Sequence, residues 1–242
     1  ILLDEKSQKM KWEVQTNTPA NKVDLYGLYY QVAQKSDKSV TFRINFPSGK
    51  VVEQTYTLAD KGFVVDYDMN LDGLSPYLSD QSIQVLWQDK LKKVDEVMDL
   101  SRRYSTLNYY EVEDGHDYLT KESTDLQEEI VEEPIKWLSM QNRFFNAALI
   151  TGKQFSDVKV QSVVNEKDTL TVKELEASFV VKIADLKAEP NMHFYFGPND
   201  YYITSEVAKN IEGAANFEKN VYMGYAIFAP ISRYIIIPLF NF

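Results

Sequence analysis

From Lys11 to about Glu113, apolar and polar positions alternate, or β-branched residues cluster, in short blocks: KWEVQT, LYGLYYQVA, SVTFRINF, KVVEQTYTL, FVVDYDMNL, SIQVLWQD and TLNYYEVE. A period of two sends successive side chains to opposite faces, so these blocks predict strands. Their short, regular spacing predicts a sandwich. The breaks at Ser36-Asp37-Lys38, Pro47-Ser48-Gly49 and Asp60-Lys61-Gly62 are turn sequences. The last two supply Gly where φ must be positive, so hairpins should join the neighbouring strands. Acids dominate from Glu111 to Glu133, with Lys121 as the only base. That stretch reads as an exposed connection.

The pattern then changes to the period of a helix. Pro134 stands at a first-turn position behind Glu132 and Glu133, and Thr151-Gly152 closes the segment. Trp137, Leu138, Phe144, Phe145, Ala148 and Leu149 fall on one side, with Lys136, Ser139, Arg143 and Asn146 on the other. The spacing predicts an amphipathic helix that covers a sheet. Strands resume at VKVQSVV, TLTVKELEASFVVKI and MHFYFG, and Asn199 to Ala215 reads as helix or helical turns. No internal repeat or low-complexity linker divides the strands, so they form one domain over 1–198, followed by a separate segment over 199–242.

Composition narrows the chemistry. At 242 residues with 44% hydrophobic content, the chain can bury a core without disulfides, metals or a cofactor. A formal charge of −10 argues against phosphate-backbone binding, so nucleic acid is a poor partner. The absence of cysteine removes disulfides, thiolate metal sites and Cys nucleophiles. The opening Ile1-Leu2-Leu3-Asp4 reads as the end of a strand and carries no secretory pattern, as expected of a piece cut from a longer protein.

Asp68-Met-Asn70-Leu-Asp72-Gly73 matches the first half of a calcium-loop pattern, but Ser79 stands where the closing bidentate carboxylate is required. The simpler reading puts Asp66, Asp68, Asn70 and Asp72 on the wet face of a strand whose dry face is Val65, Tyr67, Met69 and Leu71. No spacing links His116 or His193 to a catalytic partner, and they read as one surface and one half-packed histidine. Carboxylates are too numerous for any pair to be informative. No GxSxG, HExxH, Walker or GxGxxG pattern occurs, so no catalytic residue is assigned. The aromatic load of 16 Tyr, 13 Phe and 3 Trp admits a sugar-stacking platform. Against that, the doublets Tyr29-Tyr30, Tyr109-Tyr110 and Tyr201-Tyr202 should send one ring of each pair into the core.

Val221 to Phe242 reads VYMGYAIFAPISRYIIIPLFNF, with Arg233 as its only charge. Pro230 and Pro238 break it too often for a confident span. A segment lying in the membrane interface fits as well as a final core element does. In that reading Tyr222, Tyr225 and Tyr234 suit the headgroup zone, and Arg233 snorkels. Ile227, Phe228, Ile231, Ile235 and Ile236 enter the acyl boundary.

Three ordered stretches then resemble the large periplasmic domain of the YidC-type membrane protein insertases (YidC/Oxa/Alb family) of Gram-negative bacteria: PIKWLSMQNRFFNAALI, FYFGPNDY and MGYAIFAPISRYIIIPLFNF. The family-motif positions are Pro134, Trp137, Gln141, Phe144, Phe145, Gly197, Pro198 and Tyr201. The resemblance implies a mainly β fold, a β-super-sandwich of mutarotase-like shape with a packed α-helix and a C-terminal helical, membrane-interfacial segment. It also implies a periplasmic location at the bacterial inner membrane, with the insertase's transmembrane core lying beyond Phe242 and the first strands of the sandwich lying upstream of Ile1.

The function expected is that of a non-catalytic scaffold of an insertase or chaperone for inner-membrane proteins. Its expected partners are membrane lipid, Sec translocon components and client membrane proteins, with no cofactor and no metal. The rival from another class is a carbohydrate-binding or mutarotase-like periplasmic β-sandwich protein. A third reading is a chaperone that pairs client strands at its sheet edges.

Overall fold

The computed structural model describes residues 6–94, 96–187, 190–221 and 239. The strands before the central acidic stretch are β1 (Gln8–Thr16), β2 (Lys22–Asp24), β3 (Gln31–Lys35), β4 (Ser39–Asn45), β5 (Val51–Leu58), β6 (Val64–Asn70) and β7 (Leu78–Lys92). A short helix α1 (Met98–Arg103) precedes β8 (Thr106–Glu111), β9 (Gly115–Tyr118) and β10 (Gln127–Val131). Then follow β11 (Ile135–Gln141), β12 (Phe145–Val163), β13 (Thr171–Lys182), β14 (Met192–Pro198) and helix α2 (Tyr201–Asn210).

Every described pairing is antiparallel. One layer runs β2-β1-β7-β13-β12-β10, the other β9-β8-β11-β12-β14-β6-β5-β4-β3. The 19-residue β12 belongs to both. Its first part pairs with β11 and β14, and its second part with β13 and β10. The bend falls near Asp157, whose φ of 50° lies in the left-handed region beside a register shift. The main core fills the space between the layers, with Trp12, Ile83, Val85 and Trp87 from one side and Tyr67, Leu138, Leu149 and Phe194 from the other.

The three predicted hairpins at Ser36–Lys38, Pro47–Gly49 and Asp60–Gly62 join β3 to β4, β4 to β5 and β5 to β6. Gly49 and Gly62 adopt φ of 79° and 96°. Along β6, Tyr67 and Met69 are buried while Asn70 is exposed, as the alternation predicts. Gly73 is fixed by packing, since a Cβ there would meet the Phe46 ring at 2.5 Å.

Two expectations are overturned. Pro134–Ile150 is not a helix but the hairpin β11–β12, with Leu138 paired to Leu149 and Gln141 to Asn146. Both faces of this hairpin are covered. Leu138, Met140, Ala147 and Leu149 face the main core, while Trp137, Ala148 and Ile150 face a second cluster. A strand buried on both faces loses its alternation, and its apolar run mimics a helical stripe. The local signal lay in Asn142, whose Oδ1 accepts from the N–H groups of Phe144 and Phe145 at 2.9 and 2.8 Å. The acidic Glu111–Glu133 stretch is likewise more than a connection. It holds β9 and β10, with Asp114-Gly115 turning β8 into β9 and Gly115 at φ 90°.

Candidate functional site

The outer face of the β11–β12–β14 region carries a platform of apolar and aromatic side chains. Trp137 of β11, Ala148 and Ile150 of β12, and Tyr195 of β14 form it, and Val207, Ala214 and Phe217 pack down from the C-terminal segment. The Phe217 ring stands edge-on to Trp137 at 5.3 Å and to Tyr195 at 5.1 Å, a favourable aromatic arrangement. Helix α2 is opened by Asp200, whose Oδ1 accepts from the N–H groups of Tyr202 and Ile203 at 2.9 and 3.0 Å. After α2 the chain turns at Gly213 (φ 86°), where a Cβ would overlap the Thr151 carbonyl. Trp137 Nε1 then donates to the Ala215 carbonyl at 2.9 Å, and Ser139 Oγ donates to Asn220 Oδ1 at 2.7 Å.

These contacts bring the first two family-motif stretches together. Phe145 pairs with Pro198 and Asn146 with Gly197. Gly197 is a close approach, since a Cβ there would crowd the Tyr195 hydroxyl and Phe63. Asn199 N and Nδ2 donate to the carbonyls of Phe144 and Asn142 at 2.8 and 2.7 Å, fastening the start of α2 to the hairpin tip. Pro134 lies just before β11, Gln141 ends it and accepts from Asn108 Nδ2 at 2.9 Å, and Tyr201 begins α2. The interface residues Tyr222, Tyr225, Ile227, Phe228, Ile231, Arg233, Tyr234, Ile235 and Ile236 lie outside the described residues. Among the described residues no helix is long and apolar enough to cross a membrane.

Sequence reasoning missed the settings of both histidines. His116 of β9 is half-buried against Trp137, with ring centroids 5.7 Å apart and no partner for Nε2. Burial, aided by Lys219 and Lys121, lowers its pKa to about 4. His193 of β14 is buried, and its Nδ1 lies 2.8 Å from Asp66 Oδ1 on the neighbouring strand β6. Only the register creates that pair, because 127 residues separate its members.

A cleft of about 320 Å³ opens between the layers, walled by Met10, Tyr26, Tyr56, Val65, Trp87, Phe194 and Phe196. Near it, Tyr56 and Tyr67 hydroxyls donate to Gln54 Oε1, whose Nε2 donates to Tyr30. Burial holds the Tyr26 and Tyr67 hydroxyls well above the ordinary tyrosine range. Trp12, Trp87 and Trp137 are all buried, which removes tryptophan from any sugar-stacking surface. At a sheet edge, β3 exposes all five of its residues. Among the described residues no group of three or more His, Asp or Glu side chains is arranged to hold a metal.

A family model described as the YidC periplasmic domain matches residues 2–237. A protein named membrane protein insertase YidC from Cytophaga hutchinsonii is 32% identical over 241 residues, covering 93% of this chain and 38% of that protein. Proteins of the same name from Amoebophilus asiaticus and Parabacteroides distasonis are each 29% identical, covering 100% of this chain and 41% and 38% of their own lengths. The chain thus spans about two fifths of the length of these relatives.

Proposed function

This chain belongs to the YidC periplasmic domain family, and from that premise we propose that it is the non-catalytic scaffold of a membrane protein insertase, holding the segment after Val221 against the bilayer. As a YidC periplasmic domain it lies on the outer side of the bacterial inner membrane. In this reading residues 1–198 form the sandwich body and 199–242 the linker and interfacial segment. The observation that carries the reading is the clamp on the linker. Trp137, Tyr195 and Phe217 interlock, and two side-chain hydrogen bonds fix the chain up to Asn220. A rigid body that grips the chain directly before an apolar stretch sets where that stretch begins. Tyr222, Tyr225 and Tyr234 then occupy the headgroup zone, Arg233 snorkels, and the isoleucines with Phe228 enter the acyl boundary.

The parent activity in this proposal is assistance to insertion and folding of inner-membrane proteins, with Sec components and client chains as partners. The apolar cleft beside Trp87 and Phe194 suits a client's apolar side chain. Flotation with phospholipid vesicles tests the central claim. Removal of Tyr222–Phe242 should reduce co-flotation by more than about tenfold. Flotation that persists without those residues would overturn the role given to them.

A further inference from the structure

The outermost strands of a sheet carry unpaired N–H and C=O groups, which are templates for another extended chain. The two layers here end in β2 and β10, and in β9 and β3. β2 has three residues and β9 four, and β3 is kinked by a register shift between Val32 and Gln34. Short length and bulges both blunt an edge. β10 has no such kink: its five residues pair with β12 in unbroken register, from Gln127 opposite Ser162 to Val131 opposite Val158. Along its other side alternate residues turn their N–H and C=O outward. Among the described residues, the backbone from Glu128 to Val131 pairs with no element but β12. Glu128, Glu129 and Ile130 are all exposed, Ile130 at 72%. Three successive exposed residues leave the strand open on both faces as well as along its edge.

The face turned to the gap between the layers is acidic. Glu129 lies opposite Val160, a main-core residue, and so projects to that side. Asp117 lies opposite Tyr109, also of the main core, and Glu111 follows Tyr109 by two residues on the same face of β8. Glu111, Asp117 and Glu129 therefore project to one side from β8, β9 and β10. Burial first, and then Asp114, Asp117, Glu129 and Glu133, push the Glu111 pKa up, as expected of crowded carboxylates. Among them the fully buried Tyr109 hydroxyl makes no hydrogen bond of good geometry. Burial, and then Glu129, Asp117 and Glu111, hold its pKa above the ordinary range. None of these acids is in an ion pair among the described residues, whereas Glu128, on the other face of β10, is held by Lys159 at 3.0 Å. Among the described residues these carboxylates are not arranged to hold a metal, so side chains of a partner, not an ion, suit their charge. Ile130 shares the other face, opposite Lys159.

We propose that the free edge of β10 is a strand-addition site for an extended segment of a partner polypeptide in which basic and apolar residues alternate. Its basic side chains enter among Glu111, Asp117 and Glu129, and its apolar ones lie along Ile130. Backbone pairing supplies affinity in such an arrangement, and the alternate side chains supply selectivity. The same charge keeps the edge from pairing with a second copy of itself, since that copy would bring its own acids against these. The proposal goes beyond the scaffold role and holds whether or not Tyr222–Phe242 meets lipid. For the test, a short capped peptide of alternating lysine and valine is titrated into the chain and read by fluorescence anisotropy. A glutamate–valine peptide and a lysine–valine peptide N-methylated along its length, which cannot donate to a strand, are titrated in parallel. The unaltered chain is compared with Glu129→Lys and with Asp37→Lys, which makes the same change of charge in the β3–β4 turn at the opposite end of the other layer.

The lysine–valine peptide should bind and slow amide exchange in β10. Glu129→Lys and N-methylation of the peptide should each weaken binding about tenfold, and Asp37→Lys should not. Glu129 and Asp37 are both exposed, so circular dichroism and melting should stay unchanged. Equal binding of the glutamate–valine peptide, or full binding after N-methylation, overturns strand pairing at an acidic edge. Slowed exchange on another strand with β10 unaffected overturns the assignment to β10. The absence of any binding overturns the proposal as a whole, while vesicle flotation reads the C-terminal stretch separately.

Discussion

Asp89 lies on the inward side of β7, in line with Ile83, Val85 and Trp87, and accepts a 2.7 Å hydrogen bond from Gln8 Nε2. Burial pushes its pKa up to about 7, and the Gln8 bond only partly offsets that. The fold therefore favours the neutral acid. Its contribution to stability is complete below the unfolded value near 4 and is lost as pH rises through about 7. Asp89→Asn should raise the unfolding free energy by on the order of 2 kcal/mol at pH 8 and leave it unchanged near pH 4, as urea titrations at both values will show. His116 acts with the opposite sign. Desolvation first, then Lys219 and Lys121, hold it at about 4 against an ordinary 6.5, with Asp117 opposing. Its stabilisation is present above about 6.5 and is lost as pH falls towards 4. In the same titrations His116→Phe should flatten that acid limb by on the order of 1 kcal/mol, discounted for partial exposure. Neither setting could be read from the sequence, because the partners come from β1, β11 and the linker, each distant along the chain.

At the scale of elements, the legible parts were those whose two faces differ. β4, β5 and β6 read correctly because turn residues bound them and, along β6, one face stays wet. The β11–β12 hairpin was misread because α2 and the linker cover its outer face, so the polar half of the alternation is missing. The Asn142 turn and the Asp114-Gly115 turn carried the correct signal locally, and the apolar run and the acidity outweighed it. The α2 helix lay inside the predicted Asn199–Ala215 segment. How the linker returns could not be foreseen, since it depends on Gly213 passing against Thr151. Gly213→Ala combines a positive φ with overlap on a backbone carbonyl, two faults that glycine alone avoids. The linker should detach while the sandwich survives, giving at least about tenfold faster proteolytic cleavage after residue 210 with little loss of strand signal in circular dichroism. Equal cleavage rates would mean that the turn adapts without releasing Phe217.

The two layers are mechanically one body because β12 serves both. Phe155 sits at the passage between them, pairing with Ile135 in one layer one residue before Ser156 pairs with Val180 in the other. It is fully buried, with its ring 4.7 Å from that of Phe179. Phe155→Ala should cost about 3–5 kcal/mol, and amide exchange should accelerate together in β1, β7 and β13 of one layer and in β8, β11 and β14 of the other. Acceleration confined to one layer would show that the layers unfold separately. The sequence by itself determined the β class, the early hairpins, the absence of cysteine chemistry and the apolar character of the final stretch. Strand period, turn residues and composition are local properties that need no partner. Tertiary structure decided the fate of Pro134–Ile150, the pairing of His193 with Asp66, and the clamp of Trp137 and Tyr195 on Phe217. Each depends on which face is covered and by what, and that is settled only when elements far apart in the chain pack together.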